Sequence, residues 1–160
     1  MRKILLVVAM IAVLAGSGAA IALAKEGNSQ QLKRQPSPEA VVAEHIDALN
    51  HCNVERLMAQ YPESVHLFLP GGSAPNNVIG RPAVRALFEG FCKPYPAGLN
   101  GLQFTAQVVQ KVGDTINIQW VANADFLAEP YYGADAYVTK HGLMYAQVTT
   151  FGAPPLKFKP

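Results

Sequence analysis

Apolar residues in the first half of the chain recur at the spacing of α-helices. The segment Ser37-Pro38-Glu39 has the features of a helix start, because a hydroxyl can cap the first turn, proline needs no donor there and an acid faces the positive end of the helix dipole. Asn53 is placed to cap a second, short helix. Residues 65–69 predict a short strand, which a loop follows at 70–77. Residues 80–91 predict a third helix. The first helix then carries one stripe at helical spacing, formed by Val41, Val42, His45, Ile46 and Leu49.

After residue 102 the pattern changes to an alternation of apolar and polar residues, which is typical of β-strands. It predicts four strands, at 103–112, 115–127, 130–140 and 143–151. Short turns are expected between them, two of which are Ala128-Glu129 and His141-Gly142. Helices followed by an antiparallel meander predict an α+β domain in which the N-terminal helices pack on a mainly antiparallel sheet.

The alternation assigns one carboxylate, Asp135, to the apolar face of this sheet. If the two turns are two residues long, Asp135 lies opposite Ala122 on one side and Val148 on the other. A slip of one residue would expose Trp120 and its neighbours, which argues for this assignment of the faces. The polar face is then formed by Asn117, Gln119, Asn123, Asp125, Lys140, Gln147 and Thr149.

An unpaired carboxylate on an apolar face is costly, so it takes up a proton or finds a partner. The expected partner is His45, the one polar residue of the stripe on the first helix. Tyr131 and Tyr137, on the face of Asp135, can supply hydroxyl donors. His45 and Asp135 are therefore the candidate catalytic pair. The alternative is a core hydrogen bond between Asp135 and His45, or between Asp135 and a tyrosine, that only orients the helix on the sheet.

The remaining histidines give weaker signals. His66 shares its face of a strand with Phe68, so it either lines the mouth of a cavity or is an ordinary strand residue. His45 and His51 are six residues apart and point to different sides of a helix, so no metal site is predicted.

The N-terminus has the three parts of a secretory signal: a basic start, an apolar stretch from Ile4 and small residues that end at Ala24. We expect cleavage after Ala24, a flexible leader at 25–36, a folded domain at 37–152 and a C-terminal tail at 153–160. The mature protein would be periplasmic or secreted, without stable membrane association. The alternative is an uncleaved anchor, since about 20 apolar residues span a bilayer.

Charge and cysteine content change this picture in two ways. The chain has 13 basic and 11 acidic residues, and cleavage would remove Arg2 and Lys3, so the mature domain has no formal net charge and no electrostatic basis for binding nucleic acid. An exported domain meets an oxidising compartment, so Cys52 and Cys92 are expected to form a disulfide. A reactive thiol is the alternative, and no CxxC spacing supports it.

Several segments resemble the nuclear transport factor 2-like superfamily, which includes ketosteroid isomerases and SnoaL-like polyketide cyclases. The sequence "VVAEHIDALNHCNVERLMAQYPESV" is similar to the opening helix pair of the family, "GRPAVRALFEGF" to its third helix and "DAYVTKHGLMYAQV" to its last hairpin. The resemblance covers about residues 37–151 and implies a cone-shaped fold with a curved sheet and an internal cavity, and often a homodimer through the outer sheet face.

The resemblance also gives expectations for three positions. Asp135 matches the protonated aspartate that donates a hydrogen bond to the substrate oxyanion in the ketosteroid isomerases. His45 matches their tyrosine donor, whereas Leu69 stands where they have the general base. A leucine cannot move a proton between carbons, so isomerisation by the known route is not expected.

Three functions are consistent with these residues. The sequence favours an exported domain that binds a small, largely apolar molecule without a cofactor, with a carbonyl or hydroxyl of the ligand contacting Asp135 and His45. The alternatives are a cyclase-, isomerase- or hydrolase-type enzyme with the same pair as acid and base, and a non-catalytic dimeric interaction module that uses the outer sheet face. The predicted cavity lining comprises Trp120, Tyr137, Tyr131, Phe126, Leu69 and His66.

Overall fold

The structure is a computed structural model that describes residues 31–69, 76–152 and 155–160. The predicted signal segment at 1–24 lies outside the described residues. Among the residues that are described, no helix is long and apolar enough to cross a membrane.

Three helices form in the first part of the domain, at the predicted positions. Helix α1 spans Pro38–Asn50, and the hydroxyl of Ser37 accepts a hydrogen bond from the amide of Ala40 at 3.2 Å. Helix α2 spans Val54–Met58 and is capped by Asn53 as predicted, and helix α3 spans Arg81–Phe91. The capping side chains of Ser37 and Asn53 therefore define where α1 and α2 begin.

Six strands form one sheet within the described residues. They are β1 His66–Leu69, β2 Asn76–Ile79, β3 Gln103–Val112, β4 Thr115–Asn123, β5 Tyr131–Lys140 and β6 Leu143–Phe151. Their order in the sheet is β2-β1-β6-β5-β4-β3. Strand β1 pairs in parallel with β6, and the other pairs are antiparallel. The strand β2 was not predicted, because its four residues follow a loop composition and are too few to show alternation.

The helices cover one face of this sheet, and the core lies between the two layers. Apolar residues that are at most 3% exposed come from both layers, including Val41, Leu57, Met58, Leu67, Val84, Ile116, Ile118 and Trp120. The predicted α+β class, with helices packed on a mainly antiparallel sheet, is confirmed.

The pairing of β4 with β5 differs from the prediction by four residues. Strand β4 ends at Asn123 instead of continuing to residue 127, and residues 124–130 form a longer connection than the predicted turn. Asp135 consequently lies opposite Ile118, not Ala122. Because the shift is even, the faces of these two strands remain as predicted.

The pairing of β5 with β6 contains a β-bulge that the sequence did not predict. The turn at His141-Gly142 is two residues long as expected, but the register shifts between Val138 and Thr139 because Tyr145 has no partner on β5. Asp135 therefore lies opposite Thr149. The extra residue turns the rest of β6 over, so the prediction that Gln147 and Thr149 lie on the polar face is wrong: both are buried.

Both described ends of the chain pack on the domain. In the leader, the amides of Lys33 and Gln35 donate to the carbonyls of Ala59 and Gly142 at 2.8 and 2.9 Å. In the tail, the amide of Lys159 donates to the carbonyl of Phe126 at 2.9 Å.

The predicted disulfide is wrong, since Cys52 and Cys92 are free thiols. Each is half-buried near the end of a helix. Burial and, to a smaller extent, the neighbouring Cys52 thiol raise the pKa of the Cys92 thiol to about 12.

Candidate functional site

The sheet side of the candidate site is built around Asp135, which projects from β5 toward the helices and is 8% exposed. Tyr137 lies two residues further along the same face, and its hydroxyl donates to Oδ2 of Asp135 at 2.7 Å. Residues two apart on a strand point to the same side, so this contact follows from strand geometry. The prediction that Asp135 faces the apolar interior is confirmed by its burial.

Three further polar side chains adjoin this carboxylate. On β6, Nε2 of Gln147 donates to Oγ1 of Thr149 at 3.1 Å, and Thr149 lies directly opposite Asp135. On β4, Trp120 lies opposite Gly133, and its indole ring packs so closely on this residue that a Cβ atom there would overlap it. The site therefore combines donors and acceptors from β4, β5 and β6.

Burial and hydrogen bonding act in opposite directions on Asp135. Removal from water raises the pKa of the carboxyl group. The nearby donors on Thr149, Tyr137, Trp120 and Gln147 favour the ionised form and lower the pKa in part. Of these groups, only the hydroxyl of Tyr137 makes a hydrogen bond of good geometry to it. Burial has the larger effect, so the pKa stays above its ordinary value.

The helix side is formed by His45 of α1 and by Tyr61, which follows α2. His45 is fully buried, and its Nδ1 is hydrogen-bonded to the hydroxyl of Tyr61 at 3.2 Å. The ring centroids of His45 and Tyr137 are 5.4 Å apart, and those of His45 and Phe88 of α3 are 6.0 Å apart. Burial lowers the pKa of His45 to about 4, so its ring is neutral at pH 7.

The structure brings His45 and Asp135 into one cluster, with Tyr137 in contact with both. Within the described part of the chain, no hydrogen bond or ion pair joins the histidine directly to the carboxylate. A neutral imidazole also does not act as a counter-ion. The arrangement thus consists of two tyrosine hydrogen bonds, one to each member of the predicted pair.

Several polar atoms in this region are buried and have no hydrogen-bond partner among the described residues. Buried polar groups in folded proteins are nearly always hydrogen-bonded to protein or water, so such a concentration requires an explanation. They are Nε2 of His45, Nε1 of Trp120, Oδ1 of Asp135 and Oε1 of Gln147.

The other predicted lining residues lie at different distances from this cluster. Tyr131 is on the same face, near Trp120, and its hydroxyl donates to the carbonyl of Gly152 at 3.1 Å. Phe126 stacks on Tyr95, with ring centroids 4.6 Å apart, in the connection after β4. Leu69 is at the end of β1 and half-buried.

His66 lies on the opposite face of the sheet from Asp135. It shares its face of β1 with Phe68, whereas Leu67 points into the core. The structure therefore does not bring His66 to the cluster.

Sequence reasoning missed three residues of the cluster. Tyr61 was assigned only to the apolar face of a helix, although its hydroxyl made it a candidate partner for a buried histidine. Gln147 and Thr149 gave no usable signal, because the bulge that turns them inward is not visible in the alternation.

On the outer face of the sheet, the described residues line two shallow, open grooves of about 300 Å³. One is lined mainly by amides and small or apolar side chains of β3 to β6, including Val108, Gln110, Asn117, Gln119, Ala134 and Val148. No group of three or more potential metal ligands is found within the described residues.

Comparison with known proteins identifies the fold. No family model and no curated protein matches the chain. An NTF2-like protein of unknown function from Cytophaga hutchinsonii is 16% identical with a TM-score of 0.58, over 76% of this chain and 95% of that one. A proposed ketosteroid isomerase from Kribbella flavida is 20% identical with a TM-score of 0.58, over 74% of this chain and 82% of that one. IdmH of Streptomyces antibioticus, a proposed polyketide cyclase, is 17% identical with a TM-score of 0.58, over 71% of this chain and 91% of that one.

The matches cover most of this chain and 82–95% of their own chains, at low sequence identity. Among the described residues, three helices and two short strands precede a four-stranded meander. The chain therefore has the cone-shaped nuclear transport factor 2-like fold.

Proposed function

We propose that this domain binds a small, largely apolar molecule between its helices and its sheet, with the polar end of the molecule at Asp135. The observation that carries the proposal is the group of buried polar atoms around this carboxylate that have no hydrogen-bond partner among the described residues. Each such atom costs about 1–3 kcal/mol when it is left unsatisfied. A ligand that bonds to several of them recovers this free energy.

The surroundings of the carboxylate suit an apolar ligand body. Asp135 lies opposite Ile118 and next to Trp120, and both are at most 3% exposed. A few convergent polar groups in an apolar wall are the usual composition of a small-molecule site. The names of two proteins of this fold, ketosteroid isomerase and polyketide cyclase, also refer to small organic molecules.

Binding is favoured over catalysis because, among the described residues, no second group that could act as a general base is hydrogen-bonded to the carboxylate. Tyr137 separates Asp135 from His45, and the first strand ends in Leu69. General acid–base catalysis requires a proton acceptor within hydrogen-bond reach of the reacting atom.

Native mass spectrometry of the protein purified from its own compartment tests this function. We expect a retained small molecule in the wild-type protein and its loss in Asp135→Asn. The exposed Asp125 provides a matched control, since Asp125→Asn makes the same chemical change outside the cluster. Equal retention by both variants, or no ligand in the wild type, would contradict the proposal.

We also propose that the chain is exported, on the basis of the basic, apolar and small-residue parts of its first 24 residues. N-terminal sequencing of the protein from the periplasm or medium should give Lys25 as the first residue. A mature protein that begins at residue 1 would contradict cleavage.

A second proposed function is self-association through the outer sheet face. Val108, Val138 and Val148 are each about 40% exposed there. The described residues that line the groove beside Val108 and Val148 include no charged side chain apart from the inward-pointing Asp135. A second copy of the chain fits this surface, because a two-fold contact places no like charges against each other. Sedimentation should show a dimer that Val148→Asp converts to a monomer without affecting ligand retention. An unchanged sedimentation coefficient in the variant would refute this interface.

A further inference from the structure

The unpartnered atoms around Asp135 differ in the hydrogen-bonding groups that they require. Nε1 of Trp120 is a donor only and needs an acceptor, whereas Oε1 of Gln147 is an acceptor and needs a donor. The third atom, Oδ1 of Asp135, belongs to a carboxylate whose other oxygen already accepts from Tyr137. A complementary ligand must therefore both accept and donate at this place.

Strand pairing places these three atoms in one region of the inner face. Asp135 lies opposite Thr149, and Tyr137 lies opposite Gln147, so the amide is a diagonal neighbour of the carboxylate. Gln147 uses its Nε2 for Thr149, which leaves Oε1 free for a ligand. On the other side of β5, Asp135 lies opposite Ile118 of β4, and Trp120 is two residues further along β4 on the same face.

Each of these side chains is held in position. The indole of Trp120 packs on Gly133 and against Phe104, with ring centroids 5.2 Å apart in the second contact. The amide of Gln147 is held by Thr149 and is 8% exposed. Fixed, desolvated groups discriminate more strongly between ligand groups than mobile ones, because a wrong partner leaves them unpaired.

We propose that this site recognises a hydroxyl group, alcoholic or phenolic, on an apolar body, in preference to a carbonyl group. The hydroxyl oxygen accepts from Nε1 of Trp120, and its hydrogen is donated to Oδ1 of Asp135 or Oε1 of Gln147. This inference rests on the proposed function and specifies its ligand class.

A carbonyl group matches the same atoms less well. It accepts the hydrogen bond of Trp120 but offers no hydrogen to Gln147. The hydroxyl of Tyr137 is already used at the carboxylate, whose ionised form it favours, so it is not directed at a ligand oxygen. An ether matches these atoms poorly for the same reason as a ketone, since it also has no O–H group to donate.

Three matched probes separate these possibilities: 2-decalol, 2-decalone and the methyl ether of 2-decalol. They share one apolar body and absorb at most weakly in the near ultraviolet, so the fluorescence of Trp120, the one tryptophan of the chain, reports binding. We expect the alcohol to bind about tenfold or more tightly than the ketone and the ether, as for a hydrogen bond to a charged group.

Variants assign this preference to the named atoms. Asp135→Asn and Gln147→Leu should each reduce the preference for the alcohol at least severalfold, and a thermal melt checks that each variant is folded. The matched control is Gln119→Leu, which changes an exposed glutamine of β4 on the outer face and should leave the preference unchanged.

The outcomes separate the two proposals. A ketone that binds as tightly as the alcohol, with dependence on Asp135, would refute the hydroxyl preference and leave the proposed function standing. An alcohol preference that survives both inner-face variants would place the hydroxyl elsewhere and refute the inference. If none of the three probes changes the fluorescence up to millimolar concentration, both the inference and the proposed function fail.

Discussion

The buried imidazole of His45 should make the protein less stable in mild acid. In the folded protein burial lowers the pKa of this ring from 6.5 to about 4. Below pH 6.5 the unfolded chain binds a proton at this position that the folded protein does not bind. The stability that the neutral His45 ring allows is therefore fully present above pH 6.5, and it is lost progressively as the pH falls toward 4.

The size of the effect follows from the two pKa values. Each pKa unit corresponds to about 1.4 kcal/mol, so the limiting loss well below pH 4 is about 3 kcal/mol. Between pH 7 and pH 5, the same linkage relation gives a loss of about 2 kcal/mol in the free energy of unfolding. This is a large part of the stability of a typical domain, about 5–15 kcal/mol.

Urea unfolding at pH 7, 6 and 5 measures this dependence. His45→Gln cannot bind the proton, so we expect its stability to change about 2 kcal/mol less than that of the wild type between pH 7 and pH 5. The control is His51→Gln, which removes an exposed histidine at the end of the same helix and should keep the wild-type dependence. Other groups, including Asp135, also titrate, but they contribute equally to both proteins and cancel in the difference. If His45→Gln retains the pH dependence of the wild type, His45 is not buried in its neutral form.

Two further perturbations follow from packing and thiol chemistry. Gly133→Ala should destabilise the protein by about 1–3 kcal/mol in urea unfolding, because the added methyl group overlaps the indole of Trp120. The control is Gly90→Ala, whose methyl group enters open space on a helix, so this change should be neutral or slightly stabilising. Equal effects of the two changes would contradict the observed packing. Iodoacetamide at pH 8 should modify Cys92 much more slowly in the folded protein than in urea, because a pKa of about 12 leaves little thiolate. The variant Cys92→Ser identifies the part of the total modification that belongs to Cys92. Equal rates in both conditions would refute the raised pKa.

The sequence predicts most of the fold because the local signals agree with one another. Ser37 and Asn53 cap their helices as expected, and the alternation in β4 and β5 assigns Ile116, Trp120 and Asp135 to the inner face. The assignment survives the wrong turn length after β4, since a register error of four residues does not change which face a side chain occupies.

The candidate site was less predictable than the fold, because it depends on contacts between distant segments. Tyr61 reaches His45 only through the packing of α1 against the segment after α2, at a separation of 16 residues. The thiols of Cys52 and Cys92 lie close together as expected, yet they are not bonded. Proximity in the fold and covalent pairing are separate questions, and the second depends on redox conditions that composition alone does not fix.

One inserted residue gives the site its polar character. Without the bulge at Tyr145, strict alternation would place Val148 beside Asp135 and turn Gln147 and Thr149 to the outer face. The carboxylate would then have an apolar wall on the side of β6, and burial would act on its pKa with less opposition from hydrogen-bond donors. The bulge instead supplies an amide and a hydroxyl, and it leaves one amide oxygen without a partner. Bulges that redirect side chains occur often beside functional sites, so this irregularity of β6 connects the fold to the proposed ligand specificity.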